Sequence, residues 1–179
     1  MQVTTLGSPA VKRVSLSKRP CPIARALDQL GDAWSLLILR DVFLGARRFA
    51  DLEAALGIAP NILTARLNAL TAHGLLEAHA YSRRPVRHEY VLTAKGADVL
   101  PLLLSLAAWG NRWLAPRGAP LVPIDARTHR TVEPVLVDRK TGRRLVAGEV
   151  GLKAGPGAPR SVHRRLTPPR LFEAHRSQP

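Results

Sequence analysis

Two short apolar stripes of helical period, joined by a tight turn and followed at once by a stretch of alternating period, constrain this chain more than any other feature. The first stripe is Phe49, Leu52 and Leu56, closed by Gly57. The second begins at Pro60, a residue suited to the first position of a helix, and runs through Leu63, Leu67 and Leu70 to Gly74. Two short helices around a Gly-containing turn match a helix-turn-helix. Leu76 to Ser82 and Arg87 to Leu92 then alternate with period two around Arg83-Arg84-Pro85. That pattern predicts a β-hairpin with a basic tip.

The flanking segments supply what such a unit packs against. Cys21-Pro22 opens a helix with a stripe of Ile23, Ala26, Leu27 and Leu30, which predicts one buried face ending at Gly31. Asp32 is placed to cap the next helix, Ala33 to Leu44, which is apolar on most sides and is expected to be the central core helix. Trp34, Phe43 and Phe49 are expected on core faces. After the hairpin, Thr93 caps a last long helix running to about Leu114, with a kink expected at Pro101.

Charge sharpens the division into parts. The net charge is +14, but residues 21–115 hold ten Lys/Arg against eight Asp/Glu. Residues 1–20 hold four Lys/Arg and no acid, and residues 116–179 hold thirteen Lys/Arg against five acids and nine of the fifteen prolines. The expected organisation is a basic arm (1–20), a compact domain (21–115) and a Pro/Gly-rich basic extension (116–179). The extension is expected to carry a short β-hairpin at 132–150, turning at Lys140-Thr141-Gly142, and to be disordered over its last thirty residues. The fold class is mainly α with a small β-hairpin wing (α+β): a winged helix-turn-helix with flanking dimerisation helices.

This order of elements reads duplex DNA. The second helix of the motif lies in the major groove, where Asn can bond adenine, Arg can bond guanine, and Thr can offer a hydroxyl or a methyl. With Leu63, Leu67 and Leu70 inward, Asn61, Thr64, Ala65, Arg66 and Asn68 are expected outward, and Pro60 leaves the helix start open to a phosphate. Arg83, Arg84 and Arg87 in the wing, with Arg47 and Arg48 before the third helix, are expected on phosphates or in the minor groove. Leu102, Leu106, Trp109 and Trp113 line one face of the last helix, more apolar surface than a small monomer could cover, and predict a homodimer.

The segments CPIARALDQLGDAWSLLILRDVFLGARRFADLEAAL, PNILTARLNALTAHGLLE, RHEYVLTAKG and LAAWGNRW, in that order, resemble the HxlR-type family of winged helix-turn-helix regulators. The resemblance runs from Cys21 to about Leu114. It implies a bacterial dimeric transcription factor on an inverted-repeat operator, expected to repress, with helices outside the reading head building the dimer. Cys21 stands at the family's N-terminal cysteine, whose thiol senses oxidants or electrophiles in some members. A cysteine at a helix start has its thiolate stabilised by the dipole, but a small capping or packing residue is the simpler reading. Some relatives carry a zinc-ribbon-like extension, and here Asp138 and Thr141 stand where a cysteine pair would be, so no metal or other cofactor is expected. A small-molecule or redox effector is compatible with the family. Its expected place is the cleft between the dimer helices and the reading head.

Other classes fit less well. Single-stranded RNA readers display stacking aromatics, and the aromatic share is 4%. A basic RNA-binding or nonspecific nucleic-acid-binding protein is the alternative reading. The six histidines (His73, His79, His88, His129, His163 and His175) have no metal-ligand spacing, and no phosphate loop or nucleophile motif is present, so an enzyme is not expected. A winged helix that binds only protein should have an uncharged wing, unlike this one. The most apolar run, Val99 to Leu114, is short of the roughly 20 residues that span a bilayer, and the N-terminal residues lack a signal-peptide core. A cytoplasmic location away from membranes is expected.

Overall fold

The computed structural model describes residues 15–172, so most of the expected basic arm and the last seven residues lie outside it. Four helices come first: α1 (Pro22–Leu30), α2 (Ala33–Phe43), α3 (Phe49–Leu56) and α4 (Pro60–Ala72). The hairpin β1 (Leu76–Arg83) and β2 (Val86–Leu92) follows, then α5 (Ala94–Ala97) and α6 (Leu100–Leu114). The extension adds β3 (Gly151–Leu152), α7 (Arg160–Arg165) and β4 (Arg170–Leu171).

The core forms where the apolar stripes of α2, α3 and α4 converge. Ile38 and Leu39 from α2, Leu52 from α3, and Leu63, Leu67 and Leu70 from α4 are fully enclosed. Leu30, Val42, Ile58, Leu75, Leu76 and Val99 complete the cluster. Each such side chain contributes about 1.5–3 kcal/mol, so the six enclosed ones alone hold α4 firmly to the body. Asp32 caps α2 as expected, its carboxylate accepting from the Ser35 N–H at 3.1 Å. Asp41 is buried one turn from the helix end, and the Arg40 guanidinium closes on it with two hydrogen bonds of 2.8 and 3.0 Å. That pairing offsets the cost of desolvating the carboxylate.

Three residues separate the end of α4 from the start of the wing. Gly74, at φ 67, turns the chain, and Leu75 and Leu76 return straight into the core. β1 and β2 pair antiparallel from Leu76↔Leu92 to Arg83↔Val86, leaving Arg84-Pro85 as a two-residue tip. The register shifts between Ala80 and Ser82, a bulge centred on Tyr81. The Arg47–Arg48 segment adds to the edge of β2: Arg48 bridges Glu89, and the Tyr90 N–H donates to the Arg47 carbonyl at 2.8 Å.

Three expectations are corrected. The last helix is not one kinked rod. Thr93 does cap a helix, accepting from the Gly96 N–H at 3.0 Å, but α5 is a single turn. A second helix starts at Leu100, so Pro101 falls in the first turn of α6, where its missing N–H costs nothing and no kink arises. Gly96 packs against the chain entering β1: a Cβ there would run into the Leu75 carbonyl oxygen. Second, of the α1 stripe only Leu30 is buried, whereas Ile23 is 62% and Leu27 51% exposed, because the body of this chain covers only one end of that face. Third, Trp34 is also partly exposed, at the start of α2 and away from the core.

The extension carries the expected turn and a second one of the same kind. Residues 122–132 (VPIDARTHRTV) and 135–145 (VLVDRKTGRRL) form two turns of the same construction, thirteen positions apart. In each, an Asp carboxylate (Asp125, Asp138) accepts from the backbone N–H two positions on and from a Thr hydroxyl three positions on. The next residue is left-handed in both, His129 at φ 55 and Gly142 at φ 69. A bridge closes each turn, Ile124↔Thr131 and Val137↔Arg144. The expected turn at Lys140-Thr141-Gly142 is the second of these. Beyond 150, β3 pairs with β4 and encloses α7 between them in sequence.

Candidate nucleic-acid interface

Helix α4 is seated by Leu63, Leu67 and Leu70, which have no exposed surface. At about 100° per residue the opposite face is made by Asn61, Thr64, Ala65 and Asn68, all exposed. The Thr64 hydroxyl donates back to the Pro60 carbonyl at 2.8 Å, which turns its methyl group to solvent-side contacts. The N-cap residue, Ala59, offers no side-chain acceptor, and Pro60 follows at the first helical position.

Arg66 is not part of this face. It lies on the flank of α4 beside the α1–α2 junction, where its guanidinium pairs with the Asp32 carboxylate at 2.5 Å. Asp32 therefore caps α2 and ties down α4 at once. The expectation that Arg66 points outward failed for a physical reason: a long side chain on the flank reached a carboxylate from another helix. Its Nε is buried without a partner among the described residues, which marks a side chain committed to the protein rather than to a groove.

The wing cations divide similarly. Arg83, Arg84 and Arg87 are exposed and make no ion pair among the described residues. Ser82 stands opposite Arg87 and Arg83 opposite Val86, so Arg83 and Arg87 lie on opposite faces of the ribbon. Cations on both faces suit a groove with phosphates on both walls. The Ser82 hydroxyl donates to the Pro85 carbonyl at 2.8 Å and holds the tip. Arg47 is exposed, whereas Arg48 braces the wing: its Nε donates to Glu89 at 3.0 Å and its guanidinium stacks 4.7 Å from the Tyr81 ring centre. The hydrogen bond from Arg48 to Glu89 raises its pKa further above its usual value, so the brace is charged at any physiological pH.

Sequence reasoning missed the fastening at the other end of α4. The Thr93 hydroxyl donates to the Gly74 carbonyl at 2.7 Å and Lys95 Nζ to the His73 carbonyl at 2.7 Å. The acceptors are the C-cap residue of α4 and the residue after it, where carbonyls lack helical partners and a cation is favoured. A Thr cap followed two residues later by Lys was the available signal.

Leu102, Leu106, Trp109 and Trp113 share one face of α6 and are 43–63% exposed. Cys21 is the half-buried N-cap of α1, with no side-chain cap hydrogen bond. Among the described residues no three His, Cys, Asp or Glu side chains gather as metal ligands, and no helix is long and apolar enough to cross a membrane.

Comparison with known proteins agrees with this arrangement. The model of the HxlR-like helix-turn-helix family matches residues 29–118. An uncharacterized HTH-type transcriptional regulator of Mycobacterium tuberculosis is 39% identical over 138 residues, 75% of this chain and 86% of that protein. A solved candidate transcription factor of Pseudomonas aeruginosa is 43% identical, with a TM-score of 0.60 over 82% of this chain and all of its own. A second solved candidate transcription factor is 35% identical, with a TM-score of 0.72 over 79% of this chain and all of its own. The seated helix, the basic wing and these matches make the chain a member of the HxlR-like helix-turn-helix family of transcriptional regulators, DNA-binding proteins and not enzymes.

Proposed function

We propose that the protein binds an inverted-repeat operator as a homodimer, reading bases with Asn61, Thr64, Ala65 and Asn68 and gripping the backbone with Arg47, Arg83, Arg84 and Arg87. The observation that carries this reading is the outward polar face of α4, exposed along its length while the opposite face is sealed in the core. Two asparagines on that face supply two-point contacts to adenine, and the Thr64 and Ala65 methyls suit the thymine methyl. Pro60 and the uncapped start of α4 admit a phosphate. Arg66 supports the readers by holding the helix at Asp32.

The dimer reading is supported by the Leu102, Leu106, Trp109 and Trp113 stripe and by exposed Ile23 on α1, apolar surface that needs a cover. A two-fold pair of subunits presents its reading helices to successive major grooves, about 34–36 Å apart. Occupancy of promoter DNA by such a dimer represses transcription.

The test is a salt series of binding to duplex from the protein's own upstream region, with random duplex as competitor. Retention against competitor, with two chains per site, supports the reading. Equal binding to both duplexes, lost together as salt rises, overturns it and leaves a nonspecific binder. Asn61→Ala and Asn68→Ala should each relax base choice at one position per half-site, while Arg83→Ala with Arg84→Ala weakens all sequences alike.

A further inference from the structure

We infer that the cavity between α2 and α6 binds a small apolar molecule with an anionic head group, and that its occupancy acts on α4 through the Asp32–Arg66 pair. The binding half stands alone, and the coupling half rests on the DNA-reading function proposed above.

The cavity encloses about 860 Å³, within the range of about 300–1,000 Å³ typical of small-molecule sites. Leu36 and Leu37 of α2 form one wall, and Leu103 and Ala107 of α6 the other. The chain after α6 folds over the top: the Asn111 amide donates to the Leu121 carbonyl at 2.8 Å and holds this strap in place. Arg40 and Arg117 are the charged residues of the lining, which contains no acid. Arg40 gives its Nε and Nη2 to Asp41, so among the described residues Nη1 and the Arg117 guanidinium remain for an anion. Apolar walls, the Arg117 guanidinium and no carboxylate in the lining select an amphipathic anion over a cation or a sugar, the Arg40 charge being balanced by Asp41.

Gly110 is an independent observation. It lies inside α6 and lines the cavity, where glycine costs a helix about 1 kcal/mol relative to alanine. No neighbour requires it, since a Cβ there would meet nothing within 4 Å. What the missing side chain provides is free volume in the cavity.

The cavity borders the surface assigned to the dimer, and Leu106 belongs to both. Leu103, Ala107, Gly110 and Leu114 follow one helical row, and Leu102, Trp109 and Trp113 follow another about 100° around α6. The link to DNA runs along α2. Ala33, Leu36, Leu37 and Arg40 face the ligand space, and Asp32 at the same helix's N-terminus holds Arg66 of α4. A molecule wedged between α2 and α6 thus bears on the helix that positions the readers.

The probe is 1-anilinonaphthalene-8-sulfonate, apolar with one anionic group, followed by fluorescence on the full chain without DNA. The expected result is saturable binding of one molecule per chain. Gly110→Leu or Ala107→Phe, checked for an unchanged thermal melt, should weaken it at least tenfold, by filling the volume. Arg117→Gln should weaken the sulfonate about tenfold and leave the uncharged analogue N-phenyl-1-naphthylamine unaffected. Trp109→Ser should change neither. Binding that survives both filling variants, or that disappears in Trp109→Ser, overturns the site. In the second arm, saturating probe should shift DNA affinity at least threefold in the natural protein and leave it unchanged in Asp32→Asn, which keeps a capping side chain and loses the ion pair. Probe binding without any shift in DNA affinity overturns the coupling and leaves the site. A chain that binds probe but shows no operator preference overturns the proposed function instead.

Discussion

The reading head and the extension are ordered in opposite ways. Every buried hydrophobic residue among those described lies between Leu30 and Val99, and residues 116–172 contain none. The head is specified by long-range burial, with α2, α3, α4 and the root of the wing meeting in one cluster. The extension is specified by short-range hydrogen bonds, each turn closed by its own Asp and Thr. The comparison teaches that the head must fold as one unit, whereas each turn of the extension carries its own instructions within about eight residues.

The comparison can be broken most forcefully at Leu67. Leu67→Ala empties an enclosed site in the shared cluster and should cost about 2–5 kcal/mol in denaturant unfolding. A cost below about 1 kcal/mol would show that α4 is not held by burial. Next comes Gly96→Ala, which forces a methyl against the Leu75 carbonyl and should cost about 1–3 kcal/mol by the same measurement. Asp32→Ala removes the cap of α2 and releases Arg66, for an expected loss of about 1 kcal/mol together with faster amide exchange at Ser35.

The smallest effects belong to the extension. Asp138→Ala should change global stability by less than about 0.5 kcal/mol, yet speed amide exchange at Lys140 and Gly142. A fall in global stability like that of Leu67→Ala would abolish the distinction between the regions. Acid provides the gentler version. The backbone N–H and hydroxyl of Thr128 hold the Asp125 carboxyl below its ordinary pKa, and the Lys140 N–H and Thr141 hydroxyl do so for Asp138. Their contribution is therefore complete above the ordinary carboxylate pKa, about 3.9, and is lost as pH falls through the lower folded-state value. Amide resonances of Thr128 and Lys140 should shift in that acid range. A shift centred above the ordinary carboxylate pKa would reverse the sign and refute the turn hydrogen bonds.

Most of the head was legible because its pattern is local and periodic. Leu63, Leu67 and Leu70 announce both a helix and its buried side, and the alternation on either side of Arg84-Pro85 announces the wing. What was not legible depended on partners distant in sequence. Ile23 and Leu27 form an amphipathic stripe, but a stripe states that a face is to be covered without stating by which chain. Arg66 followed the outward rule of its neighbours until a carboxylate thirty-four positions earlier claimed it. Pro101 was placed inside a helix, although a proline also suits the first turn of one, and the break between α5 and α6 puts it there. Of the paired turns of the extension, the one at Lys140-Thr141-Gly142 was expected and its twin at Asp125 was missed: the Asp-x-x-Thr-x-Arg repeat is in the sequence, hidden by a composition that reads as disorder.

The fastening of α4 to Thr93 and Lys95 has a consequence for the DNA as well as for the protein. Two hydrogen bonds of 2.7 Å join the end of the reading helix to the segment that leads into α6, the helix assigned to the subunit contact. In a dimer so built, the separation of the two reading helices is fixed like the gap of a caliper. One base pair inserted between half-sites rotates one of them by about 34–36° around the duplex, and a rigid caliper cannot follow. In the proposed dimer the duplex would then have to be twisted to fit, and the stiffness of the spacer sequence would become part of what is selected.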